Sequence, residues 1–313
     1  MKSYGKPRPD AAMARNSRSS LPLGEETLLL RACLYSGEEG RRAWDEARPL
    51  WERQTYAVKS NVKNGRWPVT SLWPLLLAAL RRNGITPDRE LLTLLRTAYL
   101  REELRAKVYR RICGEALSRL AAAGIPTIVL KGAALAETVY PDPVLRHCHG
   151  IDILIRPEHR VPAAGLFSSA GFTATEAADI GPARFQHRSG LPLALHSGLM
   201  ARSHDSLPVA ELWSRSCSQI IAGTSTGVLS PGDNLIHACL QPSLENRRSP
   251  RWSCDAWFII HGFPALDWTL LWDIVRRNHL ELPLSGAVRY LAEELRAPFQ
   301  ADFLACLRAA AVW

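Results

Sequence analysis

The sequence predicts an α+β fold in which a small mixed β-sheet core is flanked by N-terminal helices and a C-terminal helical bundle. Three observations predict it. Apolar residues recur at helical spacing between Thr86 and Gly124, the pattern changes to short buried strands beyond Gly124, and helical patterns return from Ser230 onward. The implied regions are a disordered basic arm over residues 1–22, helices over 23–123, an α/β core over 124–200 and a mainly helical region over 201–313.

Residues 1–22 are rich in Pro, Ser and Arg without an apolar period, which is the composition of an arm and not of a core element. From Glu25 to Gly124 the pattern is helical, with breaks at Gly37, around residues 65–68 and at Asn83-Gly84. Thr86 is placed to cap a helix with Pro87 at its first position. Leu91, Leu95, Ala98, Leu104, Val108, Ile112, Ala116 and Leu120 then follow at spacings of three, four or their sums, which makes one long amphipathic helix ended by Gly124. Thr127 to Leu130 and Ile151 to Ile155 are short apolar runs that read as buried strands. A helix from Gly132 to Thr138 lies between them, another from Pro157 to Ala170 follows, and Phe172 to Thr175 is a further strand. Ser189-Gly190 supplies the turn of a hairpin between Arg184–Arg188 and Leu191–His196. Ser230-Pro231 starts a helix over Gly232 to Leu240, and Trp252–Ile260, Asp267–Asn278 and Ser285–Leu295 complete the C-terminal helices.

Composition narrows the class. The longest apolar run, Leu72 to Leu80, contains Pro74 and falls far short of the roughly 20 residues a membrane span needs, and no apolar segment precedes Leu21 to act as a secretory signal. A cytoplasmic protein is expected. Seven scattered cysteines without a Cys-x-x-Cys pair suggest neither a disulfide framework nor a zinc ribbon. The net charge is +9, of which Lys2, Lys6, Arg8, Arg15 and Arg18 against Asp10 supply +4 in the arm, leaving +5 for the rest. Such a field suits an anionic ligand, from a nucleotide to a nucleic acid. No Walker loop and no Ser/His/Asp nucleophile pattern is present.

The chemistry concentrates around the first two strands. Ile128-Val129-Leu130 ends at Lys131-Gly132-Ala133, where a helix begins, and helix starts favour anions through their free N–H groups and dipole. Asp152 is a carboxylate inside an otherwise apolar strand, a costly placement unless a cation or donor meets it. It reads either as a metal or nucleotide ligand or as a buried hydrogen-bonded acid. Arg146 pairs either with a triphosphate or with a local carboxylate, and His196 serves either chemistry or a structural hydrogen bond. In His147-Cys148-His149 neighbouring side chains of an extended chain point to opposite faces, which argues against zinc.

The order strand, Lys131-Gly132, helix, Tyr140-Pro141-Asp142-Pro143, Arg146, Ile151-Asp152-Ile153, then Leu193 to His196, resembles the uncharacterised bacterial nucleotidyltransferase family of the polymerase-beta-type superfamily. The likeness extends through Leu229 to His237, Trp252 with Asp255, and Asp267-Trp268. It implies a nucleotidyltransferase-type sheet and transfer of a nucleotidyl group from an NTP, with Mg²⁺ or Mn²⁺ held by three strand-borne carboxylates. By that resemblance Lys131, Gly132 and Ala133 would hold phosphates, Arg146 would neutralise developing charge, and Asp152 with His196 would hold the metal. The chain departs from the pattern at two places: Gly150 stands where the first carboxylate belongs and Ala194 where the third belongs. Glu137, Asp142, Glu158 and the imidazoles of His147 and His149 are the candidate replacements. The expected function is NMP transfer from a metal-bound NTP to an unknown acceptor, a small molecule, peptide or protein. The alternative is a catalytically degenerate relative that binds a nucleotide or a partner in a biosynthetic or regulatory assembly. A nucleic acid is disfavoured as partner.

Overall fold

The residues that open the chain's regular structure and those that close it share one layer. In a computed structural model, which describes residues 21–22, 24–59, 69–176, 181–199, 207–244 and 250–311, helices α1 (Glu25–Leu34), α2 (Gly37–Lys59) and α3 (Trp73–Arg82) pack with the C-terminal helices. These are α8 (Pro231–Leu244), α9 (Arg251–Gly262), α10 (Trp268–Arg277), α11 (Glu281–Arg289) and α12 (Ala301–Ala310). Leu30, Leu34, Leu76 and Leu80 lie in the same apolar cluster as Trp252, Ile259, Leu291 and Leu307. Polar bonds pin the two ends together, Thr27 to Tyr290 at 3.0 Å and Arg31 to Glu294 at 3.0 Å. The predicted arm lies outside the described residues apart from Leu21 and Pro22, as does the break around residues 65–68.

The long amphipathic helix is α4, Arg89–Ala122. Its N-cap is Asp88 and not Thr86: the Asp88 carboxylate accepts from the N–H groups of Glu90 at 2.8 Å and Leu91 at 2.9 Å. A carboxylate serves that end better because it also meets the positive pole of the helix. At the other end Gly124 donates to Ala121 at 3.0 Å and Ile125 to Leu120 at 2.9 Å, the paired bonds that close a helix on a glycine.

The chain then enters a mixed sheet of seven strands among the described residues. They are β1 (Ile128–Leu130), β2 (Ile151–Leu154), β3 (Phe172–Glu176), β4 (Ala183–His187), β5 (Pro192–His196), β6 (Cys217–Ile221) and β7 (Thr224–Val228), in the order β3-β4-β5-β2-β1-β7-β6. Helix α5 (Lys131–Thr138) follows β1, α6 (Arg160–Ser169) follows β2, and α7 (Val209–Arg215) precedes β6. The hairpin at Ser189-Gly190 forms as expected, with His187 donating to the carbonyl of Leu191 at 2.8 Å. The β6–β7 hairpin was not foreseen, nor was α12. The sheet therefore continues beyond residue 200, β7 running parallel to β1. Ala222 and Gly223, both at positive φ (51° and 85°), form the β6–β7 turn. On β6 every residue from Cys217 to Ile220 is exposed, so no apolar alternation marks it in the sequence.

Strand alternation separates two faces. Val129, Ile151, Ile153, Leu193 and Leu195 pack on Ile112, Ala116 and Leu120 of α4 and Phe167 of α6. Ile128, Leu130 and Leu154 face the layer built from the two ends of the chain. Asp152 is on this second face.

Candidate functional site

Register brings the site together. Leu130 pairs with Asp152, Asp152 with Ala194, and Ala194 with Arg184, so one row crosses β1, β2, β5 and β4 with all four side chains on the same face. His196 follows Ala194 by two residues on β5 and shares that face. Asp152, Ala194 and Arg184 line an open cleft of about 410 Å³, with Gln186, Gly150 and His149 also at its wall.

Asp152 is met by two donors. The Lys131 ammonium donates to its Oδ1 at 3.1 Å and the His196 Nε2 to the same oxygen at 2.7 Å. Burial alone would raise the pKa of this carboxyl; the His196 hydrogen bond and the Lys131 charge outweigh it and bring the group down to about 2. Lys131 adopts φ 54°, the left-handed region that L-residues enter at a cost, at the point where β1 turns into α5. His237 of α8 is buried close by. Burial and the neighbouring Lys131 charge press its pKa down to about 3, so the ring is neutral.

Three of the expected site residues are engaged elsewhere. Arg146 is 9% exposed and lies against Asp255 of α9, which is fully buried: Nε donates to Oδ1 at 2.6 Å and Nη2 to Oδ2 at 2.7 Å. Tyr140 donates to the same carboxylate at 2.7 Å. Burial opposes the Arg146 charge, but the Asp255 carboxylate outweighs it, and the guanidinium stays protonated. Of the two roles open to Arg146 from sequence, the geometry matches the local carboxylate. Gly132 and Ala133 are buried. A Cβ on Gly132 would stand 3.1 Å from the Cys148 sulfur and 3.2 Å from Arg146 Nη1, so the bare backbone makes room for the Arg146 clamp.

The candidate replacements for the missing acids do not converge on Asp152 either. Glu137 accepts from the Ala222 N–H in the β6–β7 turn at 3.1 Å and pairs with Arg110. Asp142 caps a short turn through the Val144 N–H at 2.9 Å and accepts from Tyr99 at 2.7 Å, which pushes the Tyr99 hydroxyl up to about 12. Glu158 is exposed in the turn before α6. His147 binds Glu102 at 2.6 Å, and burial pushes the neighbouring Cys148 thiol up to about 11, the wrong direction for a zinc thiolate. His149 reaches the cleft wall as a neutral ring, its pKa lowered to about 4 by desolvation and the nearby cations Arg251, Arg105 and Arg146.

The residues present do not fit a two-metal centre. Magnesium asks for hard oxygen ligands around an octahedron. Here Asp152 shares its Oδ1 between an ammonium and an imidazole, and Ala194 offers no ligand. At Gly150 a Cβ would stand 2.9 Å from the Pro192 carbonyl oxygen and 3.1 Å from its ring, so the first carboxylate position is closed by backbone. Among the described residues no group of three His, Cys, Asp or Glu side chains converges to hold an ion.

Arg184, His237 and Asp255 were not singled out as site residues from the sequence. The signal for Arg184 was available: a two-residue turn at Ser189-Gly190 sets the register that places it opposite Ala194.

The sequence profile of a family described as "Uncharacterised nucleotidyltransferase" matches residues 69–296. None of the curated proteins matches the chain. Three solved structures align with it at low identity. The antibiotic-resistance factor ANT(2'')-Ia, known from a solution structure, is 15% identical, with 65% of this chain and 91% of that one covered and a TM-score of 0.36. An antigenic nucleotidyltransferase-like protein from Paracoccidioides brasiliensis is 15% identical over 63% and 95%, with a TM-score of 0.37. JHP933 from Helicobacter pylori is 11% identical over 66% and 91%, with a TM-score of 0.37. No helix among the described residues is long and apolar enough to cross a membrane.

Proposed function

The chain belongs to the uncharacterised nucleotidyltransferase family, and from that premise we propose that it is a nucleotide-binding member that does not transfer NMP by the two-metal route. The observation that carries this reading is the state of Asp152. The one acid of the expected triad is neutralised by Lys131 and His196, with Gly150 and Ala194 in the two other positions. A carboxylate held in this way is a structural anchor between the start of α5, β2 and β5. That bonding ties the Lys131 amine to Asp152, which itself lines a cleft whose volume falls in the range of small-molecule sites, roughly 300 to 1,000 Å³. The ligand that fits the family and the charge is a nucleoside triphosphate.

Transfer to a small-molecule, peptide or protein acceptor is the competing reading, and a turnover assay separates the two. With labelled NTP, Mg²⁺ or Mn²⁺ and a panel of candidate acceptors, the expected result is saturable nucleotide binding without pyrophosphate release. Metal-dependent release that is abolished by Asp152→Asn would overturn the proposal and restore the transfer reading.

A further inference from the structure

One face of helix α4 stays in solvent. Its period counts Leu104 and Val108 among the apolar sites together with Leu91, Leu95, Ile112, Ala116 and Leu120. The structure divides that set. The last five are 2% exposed or less, whereas Leu104 is 65% and Val108 45% exposed, and Leu100, one turn before Leu104, is 57% exposed. A single exposed leucine calls for no explanation. These three follow at i, i+4 and i+8, which aligns them in one row about 12 Å long at a rise of about 1.5 Å per residue. Such a row is the ridge that a second helix takes between its own rows of side chains.

The charge around the row has one sign. Between Arg96 and Arg111 every exposed charged residue of α4 is a cation: Arg96, Arg101, Lys107, Arg110 and Arg111. Lys107 is paired with Glu103 at 3.0 Å and Arg110 with Glu137 at 3.4 Å, so these two are already engaged. Arg96, Arg101 and Arg111 make no ion pair among the described residues. Towards its C-terminal end the row meets an open groove of about 450 Å³ between α4 and the β6–β7 turn, with Lys107, Arg110 and Arg111 along one side.

We infer that this face of α4 is a docking surface for an acidic amphipathic helix of a partner protein. Its apolar side chains would seat on Leu100, Leu104 and Val108, and its carboxylates would meet Arg96, Arg101 and Arg111. The aliphatic row leaves water only against a partner with an apolar stripe of its own, and the unpaired arginines beside it select a stripe flanked by acids. A second copy of this chain is disfavoured, because pairing α4 with α4 sets cation against cation. A nucleic acid would engage the arginines through its phosphates and leave the aliphatic row without a role. An anionic bilayer takes helices with a broad apolar face, whereas this row is one residue wide and the exposed residues from 96 to 111 include no aromatic ring. None of these residues lines the cleft at Asp152, so the inference stands independently of the nucleotide reading.

The test is titration of the full chain into a fluorescent synthetic peptide of about 18 residues, long enough to form a helix, with leucines at i, i+4 spacing on one face and glutamates on either side. A peptide of the same composition in scrambled order is the control. The expected result is saturable binding at least about tenfold tighter than that of the scrambled peptide, weakening as salt is added. Leu104→Asp is expected to weaken it by about tenfold or more and Leu104→Ala by less, while the double variant Arg101→Glu/Arg111→Glu should cost about tenfold and flatten the salt dependence. All three positions are exposed, and circular dichroism with the thermal midpoint shows that each variant is folded. Absence of binding, or equal binding of the scrambled peptide, would overturn the inference. Binding indifferent to Leu104→Asp would also overturn it, since charge alone would then suffice. Capture of the chain by phosphatidylserine vesicles or by duplex RNA, with the peptide unable to compete, would overturn it in favour of those surfaces.

Discussion

Lys131 carries two separable properties, a strained backbone and a charged amine, and substitutions can tell them apart. The left-handed conformation at φ 54° costs an L-residue about 1–2 kcal/mol and costs glycine almost nothing. Lys131→Gly is therefore expected to be more stable than Lys131→Ala by about 1 kcal/mol in urea unfolding, although both lose the bond to Asp152. Equal stabilities would show that the backbone strain is relieved in some other way. At this scale the sequence was legible where cost made a residue conspicuous: a charged side chain within an apolar strand, or a lysine ahead of a glycine. It was not legible where the partner was remote. Arg146 finds Asp255 109 residues away, and no local pattern announces that pairing.

The paired strands β2 and β5 show why losses at two positions, Gly150 just before β2 and Ala194 on β5, differ in kind. Ala194 faces the cleft and is half-buried, whereas Gly150 lies against the Pro192 carbonyl. Ala194→Asp should fold with a change of less than about 1 kcal/mol, while Gly150→Ala should lose about 1–3 kcal/mol because backbone has to move. Denaturant midpoints of the two variants check this, and a harmless Gly150→Ala would contradict the packing described. Elements with a strong period were readable in advance: α4, the strands β1, β2 and β5, and the capped start of α8. There Ser230 accepts from the Asp233 N–H at 3.1 Å. The β6–β7 hairpin escaped because β6 is exposed from Cys217 to Ile220 and carries no apolar alternation, and its place in the sheet is set by pairing of β7 with β1 from a distance of about a hundred residues.

Across the whole molecule, acid should act through the buried site. Unfolded histidine takes up a proton near pH 6.5, but folded His237 resists until about 3, so over that window the unfolded state binds more protons and stability falls as the pH falls. The contribution is at most about 1.4 kcal/mol per pH unit. Asp152 extends the decline, since its folded pKa of about 2 lies below its ordinary 3.8 and the stability it gives is lost as the pH drops through that interval. His237→Gln should flatten the loss between pH 6 and pH 4 in urea titrations, and an unchanged slope would assign it to other groups. The overall α+β organisation was legible because the period changes twice along the chain. The union of both ends in one layer was not, since it depends on contacts such as Thr27 with Tyr290, 263 residues apart. That union bears on biosynthesis. A ribosome delivers α1 and α3 first, and their leucine-rich faces wait for α9 and α11 before they can be covered. At roughly 5–20 residues per second the interval is on the order of ten to fifty seconds, during which the nascent chain offers sticky surface to any holdase at the tunnel exit.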